Sequence, residues 1–377
     1  MSDKQGAIPY QLLREMIEAG YIQGSAIEAL QPASLDLTLT DEIYRMRGSY
    51  LPRLGESIQE ILNRGALFRH DVIRPLEQNG IYLIKLAETL ALPPGIHATS
   101  SNKSSSGRIN LRGRLLADGV PRFDEIPARS SDERGSPTAA GYHGSLWLEV
   151  IPKSFPVLLH PGHRINQIRF FHGDAKLSSL EHRIAFDRFG LLRTIAGARI
   201  APTVENVRRG ITMTVDLTSQ EIIGWRSKTT AWSVLDMGKY DHDPADFFEP
   251  VPRPKSGELV IHPEAFYILA TKEKIITPPN FATEMAAYDS SKGEFRSHFA
   301  GFFDPGWGWR ENDVERGTIA VLEVEAYSHD FVLRDGQPIC LMVYDRMLAP
   351  PEKLYGEGIQ SHYHTQQGPR LAKWFKV

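Results

Sequence analysis

The sequence predicts a mainly β chain made of two tandem copies of one barrel or sandwich unit. Short strands separated by Gly and Pro turns, little helical periodicity after residue 20, and four motifs that recur in order in the second half carry that expectation. The 377 residues fit two medium domains, given a usual domain length of about 150.

The first element is the clearest helix. Leu12, Leu13, Met16 and Ile17 share one face of Tyr10–Ala19, and Gly20 suits the position just past its end. Period two follows, with Leu35, Leu37 and Leu39 alternating with Asp36, Thr38 and Thr40 as a half-buried strand requires. Further strands are expected at Gly80–Lys85, Leu146–Ile151, Phe155–Leu159 and Ile165–Phe171, with Pro93-Pro94 and Pro161-Gly162 as turns. The second half repeats this order. Val215-Asp216-Leu217-Thr218 echoes Leu35-Asp36-Leu37-Thr38 at an offset of 180 (216 − 36), and Pro278-Pro279 echoes Pro93-Pro94 at 185 (278 − 93). Leu322-Glu323-Val324 echoes Leu148-Glu149-Val150, and Gly336 echoes Gly162, both at 174 (323 − 149 and 336 − 162). The seam is expected between Gly197 and Arg209, giving units of 1–200 and 201–377.

Composition narrows the function. Apolar residues make up 41% and charged residues 24%, as in globular proteins, and no apolar run is long enough to span a bilayer. The polar start Met1-Ser-Asp-Lys-Gln5 lacks an apolar h-region, so a cytoplasmic location is expected. Acids outnumber bases by 46 to 43 without a basic block, which disfavours a nucleic-acid partner but leaves room for a small anion. The single Cys340 excludes an internal disulfide and the multi-cysteine zinc site of zinc-dependent deaminases.

Three segments gather chemistry. Gln31-Pro-Ala-Ser-Leu-Asp-Leu37 is a polar strand motif, and Ser100-Ser-Asn-Lys-Ser-Ser-Ser-Gly-Arg108 puts hydroxyls, backbone N–H groups and two cations where a polyphosphate could be cradled. Phe303-Asp-Pro-Gly-Trp-Gly308 is a tight hairpin ahead of a strand carrying Glu323 and Glu325. Together they resemble the dCTP deaminase branch of the dUTPase superfamily, whose motifs are a Gln-Pro-Ala-Ser-x-Asp-Leu strand, a Gly-Arg-Ser-Ser-x-x-Arg phosphate loop, an Ile-Asp-Pro-Gly-Trp-x-Gly hairpin, a Glu on the next strand and a C-terminal arm. Lys103 stands where the loop's first Arg is usual, Asn102 where its Gly is, and Phe303 where the hairpin's Ile is; Tyr363-His-Thr-Gln-Gln-Gly-Pro-Arg370 matches the arm. The resemblance implies tandem dUTPase-like β-barrel or jelly-roll domains.

Each half departs from the pattern where the other keeps it. The first half replaces the hairpin with Val120–Tyr142, and the second replaces the phosphate loop with Ala287-Tyr-Asp-Ser-Ser291. In this family the site lies between subunits, so a working site is expected where a first domain meets a second, within or between chains. The implied reaction is zinc-independent hydrolysis of dCTP to dUTP and ammonia. Glu323 or Glu149 would move the protons, while Arg108 and Ser104 fix the water. Lys103, Ser105, Tyr363, Gln367 and Lys373 would hold the triphosphate with its Mg²⁺, and Asp304 and Trp307 would shape the sugar and base pocket. Metal ligands from protein side chains are not expected. The alternatives are a dUTPase or bifunctional enzyme forming dUMP, and a non-catalytic nucleotide-binding protein. The expected partners are dCTP and dUTP, dTTP as a candidate inhibitor, and further copies of the chain in a homo-oligomer of trimer-type pseudo-symmetry.

Other features take ordinary readings. His362 and His364 suit a solvated arm; Trp225, Trp232, Trp307 and Trp309 suit core or rim positions; Cys340 suits a buried site, and Asp241–Glu249 an exposed loop.

Overall fold

The computed structural model describes residues 4–130, 138–203, 210–228, 232–263, 265–286, 295–298, 301–310, 312, 316–326, 328–356, 363 and 366–376. Its architecture is mainly β with few short helices, as the alternating patterns predict. The first half holds β1 (Gly6–Ala7), β2 (Ile22–Gln23), β3 (Leu35–Met46), β4 (Ala66–Arg69), β5 (Tyr82–Ala91), β6 (Ile96–Asn102), β7 (Leu111–Ala117), β8 (Glu125–Ile126), β9 (His143–Pro152), β10 (Val157–Leu158) and β11 (Arg164–His172). All but β10 join one sheet in the order β7-β9-β5-β3-β11-β6-β8, with β1, β2 and β4 on its flanks. Twelve-residue β3 pairs with β11 through its first part and with β5 and β4 through the rest, so the sheet bends around it into a nearly closed barrel.

The second half holds β12 (Leu192–Arg193), β13 (Ile211–Thr214), β14 (Ile222–Ser227), β15 (Leu235–Asp236), β16 (Phe248–Pro252), β17 (Glu258–Ile261), β18 (Phe266–Ile275), β19 (Phe281–Ala286), β20 (Phe295–His298), β21 (Phe302–Phe303), β22 (Thr318–Ala326), β23 (Phe331–Arg334) and β24 (Pro338–Arg346). They form sheets β16-β14-β18-β22-β20 and β13-β24-β19-β21 and the pair β17-β23, while β15 lies parallel to β10 of the first half.

The duplication is visible in the registers. Tyr82 pairs with Val150 as Tyr267 pairs with Val324, and both ladders slip at the same place, after Lys85 and after Ala270. The Tyr82 hydroxyl accepts the Glu77 N–H (3.0 Å) and the Tyr267 hydroxyl the His262 N–H (3.5 Å). Buried Glu88 and half-buried Glu273 accept the N–H groups of Thr38 and Thr214. The first echo needs correction. Thr38 pairs with Arg164 and Thr214 with Pro338, so the counterpart of Leu35–Thr38 is Ile211–Thr214, an offset of 176 (214 − 38), not Val215–Thr218. Asp216 belongs to the turn beyond the strand, where its carboxylate accepts the N–H groups of Thr218 and Ser219 (3.1 and 3.0 Å).

Among the described residues there are four α-helices: α1 (Tyr10–Glu18), α2 (Ile58–Gly65), α3 (Ser104–Gly107) and α4 (Ser179–Phe189). Gly20 follows α1 at φ +78°, as expected. The periodic reading missed α2 and α4, although each opens on a capping box, Ser57 with Glu60 and Ser178 with Glu181. Cys340 is fully buried in the second core. The acidic stretch is exposed at Asp241 and Asp243 but drives Phe247 and Phe248 into the first half's core. Trp232 is 93% exposed, unlike the core or rim position expected for it. No helix among the described residues is long and apolar enough to cross a membrane.

A buried polar joint ties the halves. Fully buried Arg169 on β11 donates to Asp304 Oδ1 (2.9 Å) and to the carbonyls of Ala33 and Thr283, with Phe302 beneath its guanidinium. Removing one member of such a pair strands the other charge. Arg169→Ala should therefore lower unfolding stability by about 3–5 kcal/mol. Urea titration would read this, and Arg169→Met combined with Asp304→Leu should recover most of the loss.

Candidate active site

The phosphate-type loop begins where β6 ends. Lys103 leaves the sheet in an extended conformation, and Ser104–Gly107 make one helical turn closed by the Arg108 N–H on the Ser104 carbonyl (3.1 Å). Asn110 then adopts φ +51°, a region Asn tolerates better than most residues. Its amide donates to Ser154 (3.1 Å) and to Glu325 of the second half (2.7 Å), fixing the loop against β22.

Glu323 lies on β22 two residues before Glu325, facing the same loop. A methyl group added to Gly107 would sit 2.5 Å from both Glu323 carboxylate oxygens. Glycine is thus what lets the carboxyl reach the loop. Burial pushes the Glu323 carboxyl well above the usual carboxylate range, and neighbouring Arg108 only partly offsets this. Among the described residues no hydrogen-bond partner holds that carboxyl.

Arg108 is itself buried, and burial lowers its pKa. It donates to the Arg370 carbonyl (2.7 Å) and the Gln366 side-chain oxygen (2.8 Å), and its guanidinium lies 3.8 Å over the Tyr363 ring. Its Nε has no hydrogen-bond partner among the described residues. The Tyr363 hydroxyl is 2.7 Å from Ser105 Oγ, so the arm closes over the loop from the other side. Lys103 pairs with Asp36, which also accepts from Gln31 (3.3 Å). Lys373 lies near enough to Lys103 and Asp36 for their charges to act on it, and burial lowers its pKa further.

The structure therefore brings Lys103, Ser104, Ser105, Arg108, Glu323 and Tyr363 together within one chain, with Lys373 beside Lys103. Other expected members are engaged differently. Asp304 is buried in the joint between the halves, held by Arg169 and by the Ser34 hydroxyl (3.2 Å), and lies near enough to Asp36 for the two charges to repel. Trp307 packs edge-on to Phe303 (5.0 Å) and against Tyr355 in the second core. Gln367 is exposed beside a cavity of about 310 Å³ lined by Asp216, Gln220 and Lys274. Glu149 is remote from the Arg108 loop. Its neighbours are Ser49, Tyr50, Arg112 and Arg114, and burial raises its pKa. The decayed loop Ala287–Ser291, His362 and His364 lie outside the described residues, as does part of Val120–Tyr142.

Sequence reasoning missed Asn110, Arg169 and Gln366. Arg169 had a visible signal, a lone cation in the apolar run Ile168-Arg-Phe-Phe171. Asn110 and Gln366 carried none, because their roles come from which half they meet.

Comparison with known proteins gives the family. The model of the 2'-deoxycytidine 5'-triphosphate deaminase N-terminal domain matches residues 4–174, and that of its C-terminal domain matches residues 194–375. The chain belongs to the dCTP deaminase family. A crystal structure of 2'-deoxycytidine 5'-triphosphate deaminase from Agrobacterium tumefaciens is similar at 35% identity and a TM-score of 0.81, over 92% of this chain and 99% of that one. Two curated relatives are named "dCTP deaminase, dUMP-forming". The Methanosphaera stadtmanae protein is 30% identical over 30% of this chain and 56% of its own length; for the Methanobrevibacter smithii protein the figures are 26%, 34% and 63%. The chain thus spans less than two thirds of these two relatives. The expected resemblance to the dCTP deaminase family is borne out.

In this family member Gly107 has helical backbone, so alanine there strains only the Glu323 contact. Gly107→Ala should keep the melting temperature close to that of the parent and lower kcat at least tenfold by displacing the carboxyl, an orientation effect. A melting curve and steady-state kinetics on one preparation would show both.

Proposed function

We propose that this chain deaminates dCTP hydrolytically at the Glu323–Arg108 site and carries the product on to dUMP. The observation that supports deamination is the Glu323 carboxyl buried against Gly107, with a pKa well above the ordinary range, which suits an acid that begins the cycle protonated. The neutral acid gives its proton to N3 of the cytosine. The resulting carboxylate takes a proton from water as that oxygen bonds to C4. Glu323 then protonates the amino nitrogen, the C4–N bond breaks, ammonia leaves, and the proton of the C4 hydroxyl returns to Glu323. Atoms balance: water and dCTP give dUTP and ammonia. Arg108 and Ser104 orient the water, Lys103, Ser105, Tyr363 and Lys373 hold the triphosphate, and the units 1–200 and 201–377 each give part of one site.

The names of the two curated relatives favour dUMP as the final product. This second step adds water at the α-phosphorus and releases pyrophosphate. Asp304 is engaged by Arg169 and Ser34, whereas Asp36 keeps Oδ1 buried without a hydrogen-bond partner among the described residues and Oδ2 on Lys103. Asp36 is therefore the carboxylate placed to act beside the phosphates. Mg²⁺ bound to the substrate's phosphates would offset their charge, and the Asp36 oxygen without a partner among the described residues would be placed to accept a proton from water beside it.

The test is one reaction with dCTP and Mg²⁺ in which ammonia, dUTP, dUMP and pyrophosphate are all followed. Ammonia with stoichiometric pyrophosphate and dUMP is expected. Accumulating dUTP would overturn the second step, and absence of ammonia the first. Glu323→Gln should cost about 10²–10⁴ in kcat, with Glu149→Gln near the parent; the reverse outcome would place the chemistry on Glu149.

The raised Glu323 pKa also has a stability consequence. The stability of the neutral acid is fully present below the unfolded-state pKa and is lost as pH rises through the higher folded-state value. Glu323→Gln should therefore melt with the parent near pH 4 and above it by a few degrees near pH 8. A melting difference that shrank as pH rose would contradict the assigned direction.

A further inference from the structure

The registers align the two halves closely enough to compare what covers each sheet. Leu83 faces Glu149 across β5 and β9 as Ile268 faces Glu323 across β18 and β22. The same face thus carries Leu83, Trp147 and Glu149 in the first half and Ile268, Val321 and Glu323 in the second. In the second half this face is the interdomain contact: Ile268 and Val321 join the first half's core, and Glu323 meets Gly107. In the first half the chain covers the face itself. Ile58, Ile61 and Leu62 of α2 close over Leu83, Leu116 and Trp147, and Ser49 and Tyr50 of the same segment lie beside Glu149.

The segment responsible occupies the same place in both halves. It runs between paired Arg45 and Phe68 in the first and between paired Arg226 and Glu249 in the second. In the second half it reaches outward: β15 runs beside β10, and the Phe247 ring lies 4.9 Å from that of Phe155. In the first half it folds back. Its helix is anchored by the Ser57–Glu60 capping box and by the Ile58 N–H on Asp118 (2.7 Å).

We propose that residues 47–65 are an intramolecular cap, covering on the first half the face on which the second half receives its neighbour. The cap keeps a second copy of this chain from docking there head to tail. That occupant follows from continuity with the contact already present, because the matching face of the second half takes a domain of this same chain. An uncapped face would make a heterologous contact, which can propagate from chain to chain.

Met46 and Ala66 are already register partners on β3 and β4, so Asn-Gly can replace residues 47–65 as a two-residue turn. Sedimentation velocity would compare that chain with the parent over about a hundredfold range of concentration, with dCTP turnover as the check on folding. The capless chain should at least double its mean mass relative to the parent as concentration rises. Adding Leu83→Lys to it should restore the parent mass. Ile61→Ala with Leu62→Ala, which keeps the full chain, should give the same trend more weakly. Parent-like mass in both the capless and double-alanine chains would overturn the proposal. So would association that survives Leu83→Lys, because it would come from nonspecific apolar exposure.

Discussion

One carboxyl group, Glu323, is held out of water at the seam between two copies of a domain, and much of the molecule follows from that desolvation. A carboxylate there is costly without strong partners, and only Arg108 acts on it through charge. The seam must therefore be rigid enough to keep water from filling it. Polar ties surround the apolar contact: Asn110 to Glu325, Ser105 to Tyr363, and the Arg169 cluster on Asp304. The arm adds Gln366, which accepts from Arg108 and donates to the Ile319 carbonyl at the start of β22 (2.8 Å). These bonds fix the position of the acid more than they stabilise the fold, since buried charged pairs rarely yield large net stability.

Duplication supplied two copies of every part, and the chain uses each part once. The loop with Arg108 stands in the first half and Glu323 in the second, where it meets that loop, whereas the matching carboxylate, Glu149, faces a segment of its own half. Ser49 and Tyr50 lie beside it, and burial raises its pKa. The segment after Arg45 and its counterpart after Arg226 show the same division, one folding inward and one reaching across. Asymmetry of function is thereby built on near-identity of strand register.

The alternating Leu35–Leu39 pattern, α1 with Gly20, and the echo around Glu149 and Glu323 were all legible, because local periodicity and spacing determine them. The slip of four residues at Val215–Thr218 arose because Asp-Leu-Thr letters recur in a turn, and only pairing with β24 reveals the register. Trp307 lies in the second core, one of the positions expected for it, though the hairpin motif gives its turn and not which core its aromatic enters. The missed helices show the opposite error. Their capping boxes were present in sequence; α2 spans only eight residues, though one face carries Ile58, Ile61 and Leu62, and α4 has no clear apolar face to set against the strand patterns. Where Arg169, Asn110 and Gln366 act depends on how the halves meet, information no single segment contains.

The two reactions assigned to one pocket make opposite demands on carboxyl groups. Attack at C4 of cytosine needs a proton donor to N3 before water can add, and a carboxyl stripped of solvent and hydrogen bonds supplies one. Attack at phosphorus needs an oxygen that can accept a proton or hold hydrated metal close to accumulated negative charge. Asp36 answers this second demand through its position, with one oxygen on Lys103, Lys373 close by and the other oxygen free among the described residues. Glu323 has burial with a single cation near it; Asp36 has burial with cations on two sides. On the proposed reading, environment rather than residue type divides the labour, so that one strand motif would serve both chemistries in sequence without a second pocket.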